Sequence, residues 1–324
     1  MEAYSERNMS RLSRKLSEAE EKGEITICYM GGSVTEGQCV KQNERFSALI
    51  TDALRKNIPA VNEINLGAAG VSSIFGLYQS LTQVPSFYAD IIFLEFSIND
   101  MKHFEFQGAY ESMVVYCLQL PQEPAVVQIL LQNQNGYTCQ AYMNEIGKRY
   151  QIPAIQVQNV LQERINNRSM QWSDYSFDYC HPHSGGHQLI ADGILQLFET
   201  ARHRSCEVVC QAYKEPVFTT QMKNLIFLNT GKPCLEFHSG EIYKYEVNGQ
   251  YLFLLYDMNC QEDCGSLYIE TGEGQKEVVR SMQMDGWKHS VAKIVRIHNP
   301  KEKRITLSVK EEGKVFYLWD IGWC

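Results

Sequence analysis

The chain has 324 residues, 44% of them hydrophobic and 21% charged, an ordinary globular balance that argues against disorder. Its formal net charge of −8 argues against a nucleic-acid partner, because phosphate binding needs a basic face. The sequence holds no run of about eighteen apolar residues, so no membrane span is expected.

The opening stretch, MEAYSERNMSRLSRKLSEAEEKGE, is charged and has no apolar centre, so it does not read as a secretory signal. Within it, Met9, Leu12 and Leu16 recur at helical spacing and predict an amphipathic helix covering one face. With no signal in view, the 11 cysteines read as reduced thiols of a cytoplasmic protein, most of them buried as small hydrophobes. From residue 25 onward, compact apolar runs alternate with helical patterns. Strands are predicted over 25–30, 61–66, 90–96, 125–131 and 154–157. Helices are predicted over 43–56, 73–81, 108–120, 140–150 and 184–200, with an irregular stretch over 172–182. This alternation implies a parallel sheet covered on both faces, with functional groups in the loops beyond the carboxyl ends of the strands.

Near residue 205 the pattern changes to short runs of Tyr, Phe, Ile, Val and Leu separated by Gly, Asn and Asp. Strands are predicted over 225–228, 241–247, 251–256, 267–270, 276–282, 291–297, 304–309 and 314–319, with turns such as Asn248-Gly249 and Glu312-Gly313 between them. The expected organisation is therefore an α/β domain over 1–205, followed by a smaller antiparallel β-sandwich of jelly-roll type over 206–324.

Four segments carry candidate chemistry. Ser33 lies in Gly31-Gly32-Ser33-Val34-Thr35-Glu36-Gly37 directly after the first strand, where two glycines permit a tight turn that exposes the serine. By itself the segment also suits a Gly-rich loop with a capping serine. No G-x-S-x-G occurs, and no Gly-Lys-Ser/Thr follows to make a phosphate loop. In Asp178-Tyr179-Cys180-His181-Pro182, an Asp three residues before a His can place its carboxylate on the imidazole, which fixes the tautomer and leaves the other nitrogen as a base. The same spacing also occurs in plain surface turns. Asn99, in Ser97-Ile98-Asn99-Asp100 at the end of the third strand, can aim an amide N–H at a developing oxyanion or simply close an Asx turn. Asn65-Leu66-Gly67-Ala68-Ala69-Gly70, after the second strand, offers a glycine N–H to the same position or a helix-start turn.

In order and spacing, a Ser, a Gly, an Asn and a late D-x-x-H-P over residues 25–202 resemble the four blocks of the SGNH (GDSL-like) hydrolase superfamily. The resemblance implies a five-stranded parallel sheet of flavodoxin-like order. It also implies a Ser-His-Asp triad of Ser33, His181 and Asp178, and an oxyanion hole made by the Ser33 N–H, Gly70 and Asn99. Gly70 is taken over Gly67 because the second block places its glycine at the later position. The first block here is Gly-Gly-Ser rather than Gly-Asp-Ser-Leu, similar to a variant among carbohydrate-active members. The third block has Ser97 where a Gly is usual.

The expected activity is hydrolysis of small acyl esters, acetyl above all, on a carbohydrate, with no metal and no organic cofactor. An O-acetyltransferase with the same triad, a lipid esterase or thioesterase, and a catalytically idle carbohydrate-binding protein are the alternatives. Other signals are set aside. His181-x-His183-x₃-His187 can bind zinc but equally supplies one base and two helix-start residues. Cys206-x₃-Cys210 and Cys260-x₃-Cys264 lack the usual C-x₂-C spacing. Cys180 is not taken as a nucleophile, and His103 is read as a surface residue. Trp172 and Tyr175 suit either a pocket wall or the core, and Trp287, Trp319 and Trp323 suit either sugar stacking or sandwich packing.

Overall fold

Strand β2 (Glu24–Gly31) is buried from Ile27 through Gly31 and has parallel neighbours on both sides. In this computed structural model, residues 4–5, 8–204, 216–217, 221–259, 261–272, 274–282, 288–298 and 304–324 are described. Cys206, Cys210, Cys260 and Trp287 lie outside them. The chain divides into two units, Met1–Thr220 and Gln221–Cys324. The boundary expected at 205/206 falls in a stretch, 205–215, outside the described residues.

The first unit is a parallel sheet with helices on both faces. Its strands β3 (Ala60–Asn65), β4 (Ile91–Glu95), β5 (Ala125–Leu130) and β6 (Ala154–Gln156) join β2 in the spatial order β6-β5-β4-β2-β3. The short β1 (Tyr4–Ser5) adds antiparallel to β6. The first strand of the parallel set thus lies between the second and the third, which is the flavodoxin-like order predicted from the sequence. The crossovers leave β2 in opposite senses, and a crevice opens at its carboxyl end.

Period-2 alternation sends successive strand residues to opposite faces. Ile25, Ile27, Tyr29, Ile91, Phe93, Val127, Ile129 and Ile155 share one core with residues of α1 (Ser10–Lys22), α3 (Phe46–Leu54), α7 (Val157–Asn166) and α8 (Ser184–Arg202). At its centre Tyr29 stacks on Phe93 at 5.2 Å and meets the edge of Phe46 at 5.6 Å. The other face carries α4 (Ser73–Thr82), α5 (Phe104–Leu118) and α6 (Gln140–Arg149). There the buried Gln128 amide of β5 donates to the Tyr110 hydroxyl of α5 at 3.1 Å and to the Met143 carbonyl of α6 at 2.8 Å. The N-terminal helix is formed as its spacing predicts: Met9, Leu12, Leu16 and Ala19 are buried, and α1 packs against α8. It stops at Gly23, whose φ of 75° suits glycine and whose N–H returns to the Ala19 carbonyl.

Helix α7 occupies a stretch for which the spacing predicts no helix. Val157, Val160 and Leu161 are buried at i, i+3 and i+4, but the stretch follows directly on β6 and its β-branched valines read as a continued strand.

Among the described residues of the second unit, the strands named below pair antiparallel, and the isolated bridges Ser239–Val309, Asn259–Met282 and Cys264–Val315 are parallel. One sheet runs β13 (His289–Arg296), β10 (Tyr251–Met258), β15 (Val315–Trp323), β7 (Ile226–Phe227), with β8 (Leu235–His238) also on β15. The other runs β12 (Lys276–Arg280), β11 (Ser266–Thr271), β14 (Arg304–Val309), β9 (Ile242–Glu246). Inward residues of both sheets, among them Leu252, Leu254, Phe316, Leu318, Leu267, Ile269, Ile305 and Leu307, form one core, which makes the unit a β-sandwich. Strand β8 has no predicted counterpart, because a Pro-Cys start and a His-Ser-Gly end leave only Leu235 and Phe237 as an apolar pair. Trp319 is 38% exposed, and its indole N–H donates to Asp257 at 2.6 Å. Trp323 packs partly buried against the sandwich core.

Candidate active site

At the carboxyl end of β2, the backbone turns through Gly31-Gly32 into α2 (Ser33–Glu36), a single turn of helix with Ser33 at its first position. The glycines are demanded by close approach. A Cβ on Gly31 would lie 2.6 Å from the Glu95 carbonyl, and one on Gly32 would lie 2.5 Å from Asn99 Oδ1. Gly37 ends the turn at φ 90° and returns its N–H to the Ser33 carbonyl. Ser33 is thereby fixed, 6% exposed, at the mouth of the β2 crevice.

The last loop brings Asp178 and His181 to the same place. His181 Nε2 lies 2.9 Å from Ser33 Oγ, and Nδ1 lies 2.8 Å from Asp178 Oδ2. An ionised carboxylate only accepts, so the Nδ1–H donates to Asp178 and Nε2 accepts from the Ser33 hydroxyl. The second carboxylate oxygen accepts the N–H groups of Cys180 at 2.8 Å and His181 at 2.7 Å. Partial burial works against the Asp178 charge, but the His181 and Cys180 N–H groups and the imidazole outweigh it and hold the carboxyl below its usual range. The loop is tied from behind. The Trp172 indole donates to the Asp178 carbonyl at 2.6 Å, and the Ser176 hydroxyl bonds the carbonyls of Asp178 and His181 at 3.0 and 2.6 Å. Tyr175 is buried in the core, and Trp172 packs partly buried against it.

The middle loops face the same crevice. Asn99 follows β4 in a turn whose N–H returns to the Phe96 carbonyl at 3.1 Å, and its side chain lies against Gly32 with Oδ1 buried and without a partner. After β3, Asn65 ties its loop to the Ser33 helix, donating to the Thr35 carbonyl at 2.7 Å and accepting the Gly67 N–H at 2.8 Å. The Gly67 N–H is therefore taken. Among the described residues, the N–H groups of Gly70 (φ 70°) and Ser33 make no hydrogen bond within the chain.

Three supporting residues have no role in the sequence reading, where Ser97 is only a departure from the family pattern and Asp100 only a neighbour of Asn99. Ser97 stands where the family pattern has Gly; it is buried, and its hydroxyl donates to the Leu131 carbonyl at 3.0 Å and accepts the Leu131 N–H at 2.7 Å, clamping the end of β4 to β5. Glu95 is fully buried beneath the Gly32–Ser33 turn and accepts the Thr35 hydroxyl at 3.0 Å. Burial pushes its carboxyl up to about 8, against the pull of that hydroxyl and the turn's N–H groups. Asp100 accepts the Ser73 N–H at 2.7 Å and the Tyr142 hydroxyl at 2.6 Å, joining the Asn99 turn to α4 and α6; burial raises it to about 7. A glutamate in an apolar strand and an aspartate after Asn carry no periodic signal that distinguishes them from surface residues.

The remaining candidates separate. His187 is buried, accepts the Phe46 N–H on Nδ1 at 3.1 Å, and is driven down to about 4 by burial. His183 caps α8 by accepting the Gly185 N–H at 3.0 Å. Among the described residues, neither joins His181 in a cluster of metal-ligating side chains. Burial and the nearby Asp178 charge push Cys180 up to about 11, so it stays a thiol at neutral pH. His103 is exposed at the start of α5. Phe177 and Tyr179, which flank Asp178, are 72% and 52% exposed. Among the described residues no helix is long and apolar enough to cross a membrane.

Residues 29–189 match the family of GDSL-like lipases and acylhydrolases. With its parallel sheet and its strand-end loops, the chain belongs to that family and is an ester-hydrolysing enzyme. No curated protein matches it by sequence. Among solved structures, it is similar to a two-domain esterase active on acetylated mannans, with a TM-score of 0.85, 20% identity, and 98% of this chain and 95% of that chain covered. The same esterase co-crystallised with mannopentaose gives a TM-score of 0.85 at 19% identity, covering 98% of this chain and 96% of that one. At that identity the likeness establishes the fold, and it extends over both units.

Proposed function

We propose that the chain is a serine esterase that removes small acyl groups, acetyl above all, from a carbohydrate, with Ser33 as nucleophile, His181 as base and Asp178 as the acid that orients it. The observation that carries this reading is the unbroken hydrogen-bond chain from Ser33 Oγ through His181 to Asp178, at 2.9 and 2.8 Å. His181 Nε2 takes the hydroxyl proton as Ser33 Oγ attacks the ester carbonyl. The Ser33 N–H, the Gly70 N–H and the Asn99 amide receive the oxyanion, each donor contributing about 2.7–4 kcal/mol in the transition state. The alcohol leaves with the proton from Nε2. Water, deprotonated by the same nitrogen, then releases the acid and restores Ser33.

Two observations favour Gly70 over Gly67 as the donor: the Gly67 N–H is spent on Asn65, and that of Gly70 is not spent within the chain among the described residues. The carbohydrate assignment is supported by the likeness, over both units, to an esterase active on acetylated mannans. The aromatic rings of Phe177 and Tyr179, exposed beside Asp178, suit a sugar face.

The test is a panel of 4-nitrophenyl acetate, butyrate and octanoate, followed by acetate release from acetylated mannan. Preference for acetate together with acetate release from the polymer is the expected result. Preference for octanoate would move the substrate to lipids or thioesters. Acyl transfer to an added sugar in excess of hydrolysis would make the enzyme a transferase.

A further inference from the structure

Cys39 lies in the turn that follows the nucleophile's helix, anchored by the Gln38 N–H on the Ser33 carbonyl at 3.0 Å and the Val40 N–H on the Gly37 carbonyl at 3.4 Å. Its φ is 69°, in the left-handed region where glycine or asparagine sits at lower cost. The backbone therefore gives no reason for a cysteine here, and the side chain is exposed rather than packed. Across the crevice mouth, ligand-type atoms of Cys39, Asp178 and His181 lie within 4.8 Å of one another. Two of the three come from the loop after α7 and the third from the loop after β2, so the cluster straddles the Ser33–His181 pair.

We propose that Cys39, Asp178 and His181 form an inhibitory site for a thiophilic divalent cation of the Zn²⁺ type. Zn²⁺ binds thiolate at about 2.3 Å and imidazole or carboxylate at about 2.0–2.2 Å, which puts ligand atoms about 3.3–3.8 Å apart in a tetrahedron. The cluster contracts to that size by a shift of about 1 Å, within reach of a rotation of the exposed Cys39 side chain, while the 2.8 Å Asp178–His181 contact opens slightly to admit the ion. Cys180, whose Sγ lies 3.6 Å from Nδ1 and 3.8 Å from Nε2, is not a member of that three-residue cluster, which takes its sulfur from Cys39.

The consequence for the base follows from proton count. On binding, the Cys39 thiol gives its proton to solvent and forms the metal–sulfur bond. The cation takes the Nδ1 position, and a neutral imidazole then carries its single proton on Nε2. That nitrogen donates to Ser33 instead of accepting from it, and the hydroxyl is no longer activated. Removing the ion restores the tautomer that Asp178 favours. The inhibitory effect rests on the role of His181 proposed above; the binding itself does not.

Two readouts separate these. Co²⁺ is titrated into the full chain and thiolate-to-metal charge-transfer absorption is followed; the band is expected for wild type and for Ser33→Ala, and is expected to vanish in Cys39→Ser. Esterase activity is then measured against Zn²⁺ held in a metal buffer. Wild type is expected to lose at least about tenfold in rate at saturation and to recover with chelator. Cys39→Ser, with an unchanged basal rate, is expected to need at least about tenfold more Zn²⁺. A Co²⁺ band that persists in Cys39→Ser, or the absence of any band in wild type, overturns the site. Equal Zn²⁺ sensitivity of wild type and Cys39→Ser overturns the inhibitory role. A Cys39-dependent band in a protein without esterase activity would retain the site and reject the esterase reading instead.

Discussion

Gly32→Ala isolates the steric logic of the turn that carries Ser33, the proposed nucleophile. The residue has φ −85° and ψ −152°, an extended conformation open to alanine, so any effect comes from contact and not from backbone strain. The new Cβ would lie 2.5 Å from Asn99 Oδ1, 2.7 Å from Nδ2 and 2.8 Å from Cγ. Ordinary contact requires about 3.5 Å or more, so the Asn99 amide must retreat by about 1 Å. A misplacement of that size costs about 10²-fold, and complete loss of one oxyanion donor costs about 10²–10³-fold. The expected fall in kcat on 4-nitrophenyl acetate is therefore about 10²-fold, with a stability loss of about 1–3 kcal/mol from overpacking in chemical denaturation. Both effects run through the same side chain, so Gly32→Ala placed in an Asn99→Ala background should cost little more, because alanine at 99 vacates the space. If the two substitutions multiply in the double variant, or if Gly32→Ala leaves kcat unchanged, Asn99 does not act as reasoned.

Asp178→Asn retains an oxygen for the Cys180 and His181 N–H groups but turns an amide N–H toward Nδ1, which favours the wrong imidazole tautomer. A loss in kcat of about 10²–10⁴-fold is expected, and a loss below tenfold would show the acid to be dispensable. Glu95, with an ordinary value of 4.5 raised to about 8, and Asp100, from 3.8 to about 7, bind more protons folded than unfolded across that interval. Their contribution is complete below the unfolded values and is lost as pH rises through the folded ones, so urea stability should decline as pH rises from about 5 to 8. Glu95→Gln, which keeps an acceptor for Thr35, should flatten part of that slope; an unaltered slope would remove Glu95 from the account. Ser97→Gly, which restores the family's usual residue, removes both bonds to Leu131 and should cost about 1–3 kcal/mol in denaturation, whereas an unchanged midpoint would show the clamp to be idle.

The parallel sheet was legible because buried strands such as 90–96 are bounded apolar runs separated by helices with an evident stripe. Helix α5 starts at Phe104, ahead of the 108 that the spacing predicts, since most of its residues are buried and no single stripe marks its start. Local patterning also hid α7, where core residues on helical spacing continue a strand's composition. The proximity of Ser33, Asp178 and His181 was legible for a topological reason: residues at strand-end loops of a doubly wound sheet converge on one crevice. The supporting layer was not legible. Ser97, Glu95 and Asp100 act through contacts 27 to 60 residues away in sequence, and nothing in their immediate neighbours signals a buried polar role. Cys39 escaped for the same reason, being paired with the site only through the closing of the last loop over the first.

The central claim is that Ser33 is the group that becomes acylated. A fluorophosphonate probe followed by peptide mass analysis tests it most directly. Stoichiometric labelling of the Ser33 peptide, absent in Ser33→Ala and accompanied by loss of ester hydrolysis in that variant, is the expected result. Labelling at another residue, or hydrolysis that survives Ser33→Ala, would contradict it.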